Sequence, residues 1–434
     1  MPSQTALLNA RLIDPLSGLD QRGGLLIQDG VIADLGSHIE KGTVGDAAVV
    51  DCAGQVLAPG LIDMMVSTGE PGHEHRETLA TASEAAAAGG VTTIIVMPNT
   101  EPVIDDVALV DFILRRARDT AIVNVHPMAA MTKGLLSEEM AEIGLLRDAG
   151  AVAFSNGKTS LANTKVMRNV LAYAKDFGAL IVTHVEDPFL SRDAVMNQSE
   201  VSTRLGLRGI PAAAEAIMLD RDIRLVELTG GRYHAAQISC RASLDLIRAA
   251  KARGLPVSCG VSINHLTLNE NDIGSYRTFF KMRPPLRSED DRRAMVEGVA
   301  SGDIEVIVSA HDPQDADVKR RPFAEAADGA IGLETLLGAT LRLYHDKDVD
   351  LAPLLRALTS NPAKLLGLPS GRLAKGAPAD LVLIDLDTPW TVEADRLRSK
   401  SKNTPFDGAQ FQGTVCQTFV AGRPVYHYAD ARKL

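Results

Sequence analysis

Few residues in this chain have side chains suited to chemistry, and they are scattered. His184 lies in a VTHVED run beside Glu186 and Asp187, His73 and His75 form a His-x-His, His311 precedes Asp312, and Cys240 stands in QISCR. A catalytic zinc needs three protein ligands of N, O or S type and an open position. His184 has no histidine at chelate spacing, so it reads as a hydrogen-bonded residue lining a pocket, with Glu186 and Asp187 in a loop network. His73 and His75 leave open a metal site in a loop. Cys240 and His184 would make a thiol–imidazole nucleophile pair if adjacent, whereas an inert buried thiol is the plainer reading. His311-Asp312 is most simply a strand-end hydrogen-bond pair, and Lys319-Arg320-Arg321 a solvated face or an anion contact.

Positioning such groups requires a frame, and the hydrophobic pattern supplies one. Strands are expected at 61–66, 92–97, 121–125, 151–154, 180–183, 233–238, 256–260 and 304–309. Helical periodicity falls between them at 79–88, 107–118, 137–149, 164–177, 212–229, 243–252 and 289–302. Eight strand–helix units in this rhythm favour a closed, parallel (βα)8 barrel of the TIM type over a doubly wound open sheet. No glycine-rich phosphate loop follows the first strand, which argues against dinucleotide binding. Short alternating strands at both ends, with turns at Asp29-Gly30 and Ala421-Gly422, predict a small β-sandwich domain formed by both termini. The expected division is therefore 1–58 and 369–434 for that domain and 59–368 for the barrel.

With 434 residues, 45% hydrophobic and 23% charged, the chain has material for a large core. Its net charge of −10 and 4% aromatic content speak against nucleic acid as a partner. No apolar stretch approaches the length of a membrane span, and four scattered cysteines suggest neither disulfides nor a cysteine zinc site. A reducing cytoplasm is the expected location.

Several blocks carry a resemblance. PGLIDMMVSTGEPGHEHRET, VMPNT, VTHVED, RPPLRSEDDRR, PFAEAADGAIGLET and SKNTPFDG, in that order, resemble the bacterial dihydroorotases of the amidohydrolase superfamily. The resemblance implies a metal-dependent barrel that interconverts N-carbamoyl-aspartate and dihydroorotate. In such enzymes one or two zinc ions polarise the amide and activate water, while an aspartate moves the proton.

The positions that resemblance marks are largely replaced. Met65 and Ser67 stand where the family has a His-x-His pair, Asn156 where it has a carboxylate ligand, and Gln237 where it has a histidine. Ala310 replaces the proton-moving aspartate, and only His184 keeps its ligand identity. Thioether, hydroxyl and amide groups are poor zinc ligands. Gly69 stands in place of the family's substrate arginine and Arg283 in place of an asparagine; Asn99 is retained. The resemblance therefore implies no catalytic residues, no cofactor, and a paralogue kept for its shape, one that assembles with aspartate carbamoyltransferase as a homo- or hetero-oligomer. Two alternatives remain: an active dihydroorotase with a reorganised zinc site, and a sensor whose vacated pocket is lined by Asn99, His184, Gln237 and Arg283.

Overall fold

In the computed structural model, which describes residues 4–428, eight parallel strands neighbour one another in chain order. They are Leu61–Val66, Val91–Val96, Asn124–Ala130, Ala153–Ser155, Leu180–His184, Arg232–Gln237, Val257–Ser262 and Val306–Val308. Runs such as LIDMMV and VTTIIV are buried throughout, as a sheet covered on both faces requires. Alternate residues divide between two cores. Ile95, Met97, Leu180, Val182, Val306 and Val308 pack with Met64 and Met65 in one cluster, while Ile94, Val96 and Ile181 pack in the other with residues of the helices.

The first and eighth strands meet to close the ring. Val66 and His311 form a parallel bridge, and Ser67 N donates to His311 O at 2.9 Å. At the same seam the Asp63 carboxylate accepts from Met65 N at 3.1 Å and Ser309 N at 3.3 Å. Burial pushes its pKa up to about 6.

Helices Leu79–Ala88 and Ala212–Thr229 occupy the expected ranges. Side-chain caps at Thr78, Asp106 and Asn163 satisfy free N–H groups at three helix starts. The helix expected over 137–149 shrinks to Ile143–Asp148. Ahead of it, Gly134, Leu135 and Ser137 take φ of 58°, 59° and 62°. Ser137 N donates to Thr132 Oγ1 at 3.1 Å, so a side-chain bond holds the segment out of helix. The third strand also differs, starting at Asn124 and running through Pro127 to Ala130. Pro127 weakens the sequence pattern of a strand, yet its carbonyl still accepts from Val152 N at 3.1 Å.

Both chain ends build one further eight-stranded sheet, ordered Arg423–His427, Gln410–Val420, Leu381–Thr391, Val56–Pro59, Gln4–Asp14, Leu19–Gln28, Val31–Gly36, with Ala48–Asp51 beside Gln4–Asp14. Its two tight turns fall where expected. Asp29 and Gly30 have φ of 50° and 82°, Ala421 and Gly422 of 46° and 72°. The strand Val56–Pro59 joins the halves, lying parallel to Gln4–Asp14 and antiparallel to Leu381–Thr391. The outermost residues of the expected terminal ranges, 1–3 and 429–434, lie outside the described residues.

Candidate functional site

A parallel barrel presents its reactive groups at the C-terminal ends of its strands. At that mouth lies a cavity of about 30 Å³, lined by Met65, Ser67, Lys158, Gln237, Arg283 and Ala310 among others. At ~30 Å³ per water that is space for about one water. Asn99 and His184 do not line this cavity, although His184 lies beside Glu186, the partner of Arg283.

Links between the chain's own side chains cross the mouth. Lys158, after the fourth strand, pairs with Asp312, after the eighth. Arg283 donates to Glu186 Oε1 through Nε at 2.9 Å and Nη2 at 2.5 Å, so the guanidinium grips an internal carboxylate. Gln237 Nε2 donates to Met65 Sδ at 2.8 Å.

Asn156 turns away from the cavity. Its Oδ1 accepts from Thr132 N and Oγ1 at 3.2 Å each, and its Nδ2 donates to Ser137 Oγ at 3.2 Å. His184 is 6% exposed, and burial lowers its pKa. Its Nε2 has no hydrogen-bond partner, with Glu186 Oε2 at 3.9 Å, which corrects the expectation of a hydrogen-bonded histidine. Asn99 Oδ1 is likewise unpartnered.

Two positions that the resemblance marks have left-handed backbone. Ala310 has φ of 52°, a left-handed conformation that alanine tolerates less well than Asp, Asn or Gly. Gly69 has φ of 72°, and a Cβ there would stand 2.6 Å from His73 O, so an arginine does not fit without moving the backbone.

The remaining candidates separate. His311 does not pair with Asp312: its Nδ1 accepts from Gly332 N at 3.2 Å and its Nε2 faces Glu77 Oε2 at 3.5 Å, because Lys158 and Gln314 hold Asp312. His73 Nε2 faces Glu101 at 3.5 Å and His75 Nε2 faces Asp315 at 3.0 Å, two different carboxylates. Cys240 Sγ donates to Glu215 at 3.5 Å, and burial pushes its pKa up to about 12, so it is a protonated thiol. Arg320 and Arg321 are exposed, but Lys319 is buried, with Nζ donating to Ala327 O and Gly329 O at 2.9 Å each. The solvated-face reading fails for Lys319 because these carbonyls solvate its ammonium in place of water. Sequence reasoning missed Asn264 and His265 of the cavity wall; nothing in their local pattern points there.

These groups do not fit zinc. Among the described residues no three of His, Cys, Asp and Glu gather as a metal cluster. The mouth presents a thioether, a hydroxyl, an amide, an ammonium and a guanidinium, and the last two repel a divalent cation. Of its His265, His311, Asp312 and Asp328, the first bonds Pro284 O and Pro285 O through Nε2, the second accepts from Gly332 N and the third pairs with Lys158.

The closed ring, the mouth at its strand ends and the sheet from both termini define an amidohydrolase-type barrel. An L-hydantoinase (dihydropyrimidinase) from Arthrobacter aurescens has the same fold, with a TM-score of 0.88 and 25% identity over 98% of this chain and 96% of that one. Residues 54–243 match the Dihydro-orotase-like family and residues 307–426 the Amidohydrolase family. The chain is 43% identical to a dihydroorotase of Anaplasma phagocytophilum, over 97% of this chain and 95% of that protein. With a dihydroorotase of Anaeromyxobacter sp. the identity is 42%, over 97% of each chain. The chain belongs to the dihydroorotase family.

Proposed function

We propose that this chain is a dihydroorotase-like protein of pyrimidine biosynthesis that does not catalyse, and that it serves as a structural partner of aspartate carbamoyltransferase in a cytoplasmic oligomer. The observation that carries the reading is the cross-linked mouth: Lys158–Asp312, Arg283–Glu186 and Gln237–Met65 stand around a cavity of about 30 Å³. Position 310 holds alanine and so offers no acid–base carboxylate. A family frame kept without its chemistry leaves fold and surface as what the chain can offer. A barrel of this size can bury the roughly 1,200–2,000 Å² typical of a stable interface.

Co-expression with the transferase of the same cell, followed by size-exclusion chromatography with mass measurement, tests the partnership. A joint peak is expected; separate elution together with a fully active, correctly assembled transferase alone would reject it. The second reading, an active enzyme with a rebuilt zinc site, is favoured by the 43% identity to a dihydroorotase. Zinc analysis and a dihydroorotate hydrolysis assay separate the two. The first reading expects no stoichiometric zinc and turnover indistinguishable from buffer, and turnover lost to chelator would restore the second.

A further inference from the structure

Away from the mouth, a cavity of about 210 Å³ lies between the segment after the eighth strand and residues 400–403, and it shares no lining residue with the first. At ~30 Å³ per water it has room for about seven waters. Lys319, Lys400 and Lys402 all line it.

Among the described residues none of these three ammonium groups has an ion-pair partner; each donates to main-chain carbonyls instead. Lys319 Nζ reaches Ala327 O and Gly329 O at 2.9 Å, Lys400 Nζ reaches Glu74 O at 2.8 Å, and Lys402 Nζ reaches Ser399 O at 2.8 Å and also Leu397 O. Carbonyls hold an ammonium in place without cancelling its charge. Each ammonium has three donors, so Lys319 keeps one unused and Lys400 two.

The carboxylate in the cavity wall, Asp315, is already engaged by His75 Nε2 at 3.0 Å and Arg76 Nε at 3.3 Å. Asp312 and Asp328 attract Lys319 from a distance, but Lys158 holds Asp312. Burial, by removing its ammonium from water, pulls the Lys319 pKa down to about 8. In a chain of net charge −10 this concentration of cations stands out as local. Phe279, 37% exposed, adds an apolar wall.

We propose that this cavity binds a small phosphate-bearing anion. A phosphate carries close to two negative charges and three strong acceptor oxygens, which matches three partly unused ammonium groups better than a single carboxylate would. The inference does not depend on the reading of the barrel mouth, because the two cavities share no lining residue.

Isothermal titration of the full chain with inorganic phosphate and with pyrophosphate, at ionic strength held constant with sodium chloride, tests the site. Saturable binding is expected, weakened about tenfold or more in the Lys400→Gln/Lys402→Gln double variant. Because Lys402 also braces the backbone, Lys400→Glu at its exposed position is the second variant. It should weaken binding at only a small cost in melting temperature, since Lys400 is exposed and makes a single bond to Glu74 O. Heat that sodium chloride reproduces, or an unchanged affinity in Lys400→Glu, would overturn the proposal.

Discussion

Two groups of buried polar side chains lie at the C-terminal ends of the barrel strands. In one, Arg287 donates to Ser239 Oγ and Asn197 Oδ1 at 3.0 Å and to Ile210 O at 2.9 Å, with Glu215 Oε2 at 3.5 Å. Glu215 also accepts from Ser239 N at 2.8 Å. In the other, around the mouth, Asn99 Oδ1, His184 Nε2, Glu186 Oε2, Asn264 Oδ1, His265 Nδ1 and His311 Nε2 all lack a hydrogen-bond partner. Unsatisfied buried polar atoms are costly and uncommon. The Arg287 cluster is satisfied from within the chain, whereas these polar atoms around the mouth have no partner within the chain.

The largest effect should come from breaking the satisfied cluster. Arg287→Met strands the Glu215 carboxylate, whose side chain is 1% exposed, and should cost about 3–5 kcal/mol in chemical denaturation. Lys158→Met, which removes a cross-mouth pair whose lysine is 35% exposed, should cost about 1 kcal/mol or less. Equal losses would erase the distinction between the two groups.

Acid should sharpen it next. Burial lowers the His265 pKa from 6.5 to about 4, so the folded state holds the neutral ring and the unfolded state takes up the proton first. The resulting stability, roughly 3 kcal/mol, is present above pH 6.5 and lost as pH falls towards 4. Because Asp63, Asp222 and Glu334, raised by burial to about 6, 6 and 7, act in the opposite direction over the same window, the His265 contribution is read as the difference between the wild type and His265→Asn in urea denaturation from pH 6.5 to 4, a difference that should shrink as pH falls. His234, lowered to about 3 by burial, acts in the same direction and leaves the variant a residual slope.

Restoring the family's side chain at position 69 should fail for steric reasons. Gly69→Arg is expected to destabilise by about 1–3 kcal/mol in the same assay, given the left-handed φ and the close His73 carbonyl. The smallest effect has the opposite sign. Ala310→Gly should stabilise by about 0.5–1 kcal/mol, because glycine accepts the φ of 52° without strain. A loss there would mean the Ala310 methyl packs usefully at the mouth.

The frame was readable because its rules are local. Buried β-branched runs at 91–96 and 180–184 and capped amphipathic helices announce themselves over a few residues. The segment 133–148 was not, since Asn156, far along the chain, holds Ser137 by a hydrogen bond. At the mouth the sequence showed which chemical groups are replaced. It did not show that Lys158 meets Asp312 or that Arg283 meets Glu186, because those partners are set by barrel closure across 154 and 97 residues. It also did not show that His311 faces Glu77, a partner more than two hundred residues away in sequence.

The shared strand Val56–Pro59 has a consequence for biosynthesis. One of its edges is completed by Leu381–Thr391, roughly 320 residues later in the chain. At about 5–20 residues per second on the ribosome, that edge waits roughly 15–65 seconds for its neighbour. Throughout that interval a strand buried along its whole length in the finished protein offers open N–H and C=O groups to any other nascent chain. The interval sets a time over which a chaperone, or the early docking of residues 4–14 on its other side, must guard it.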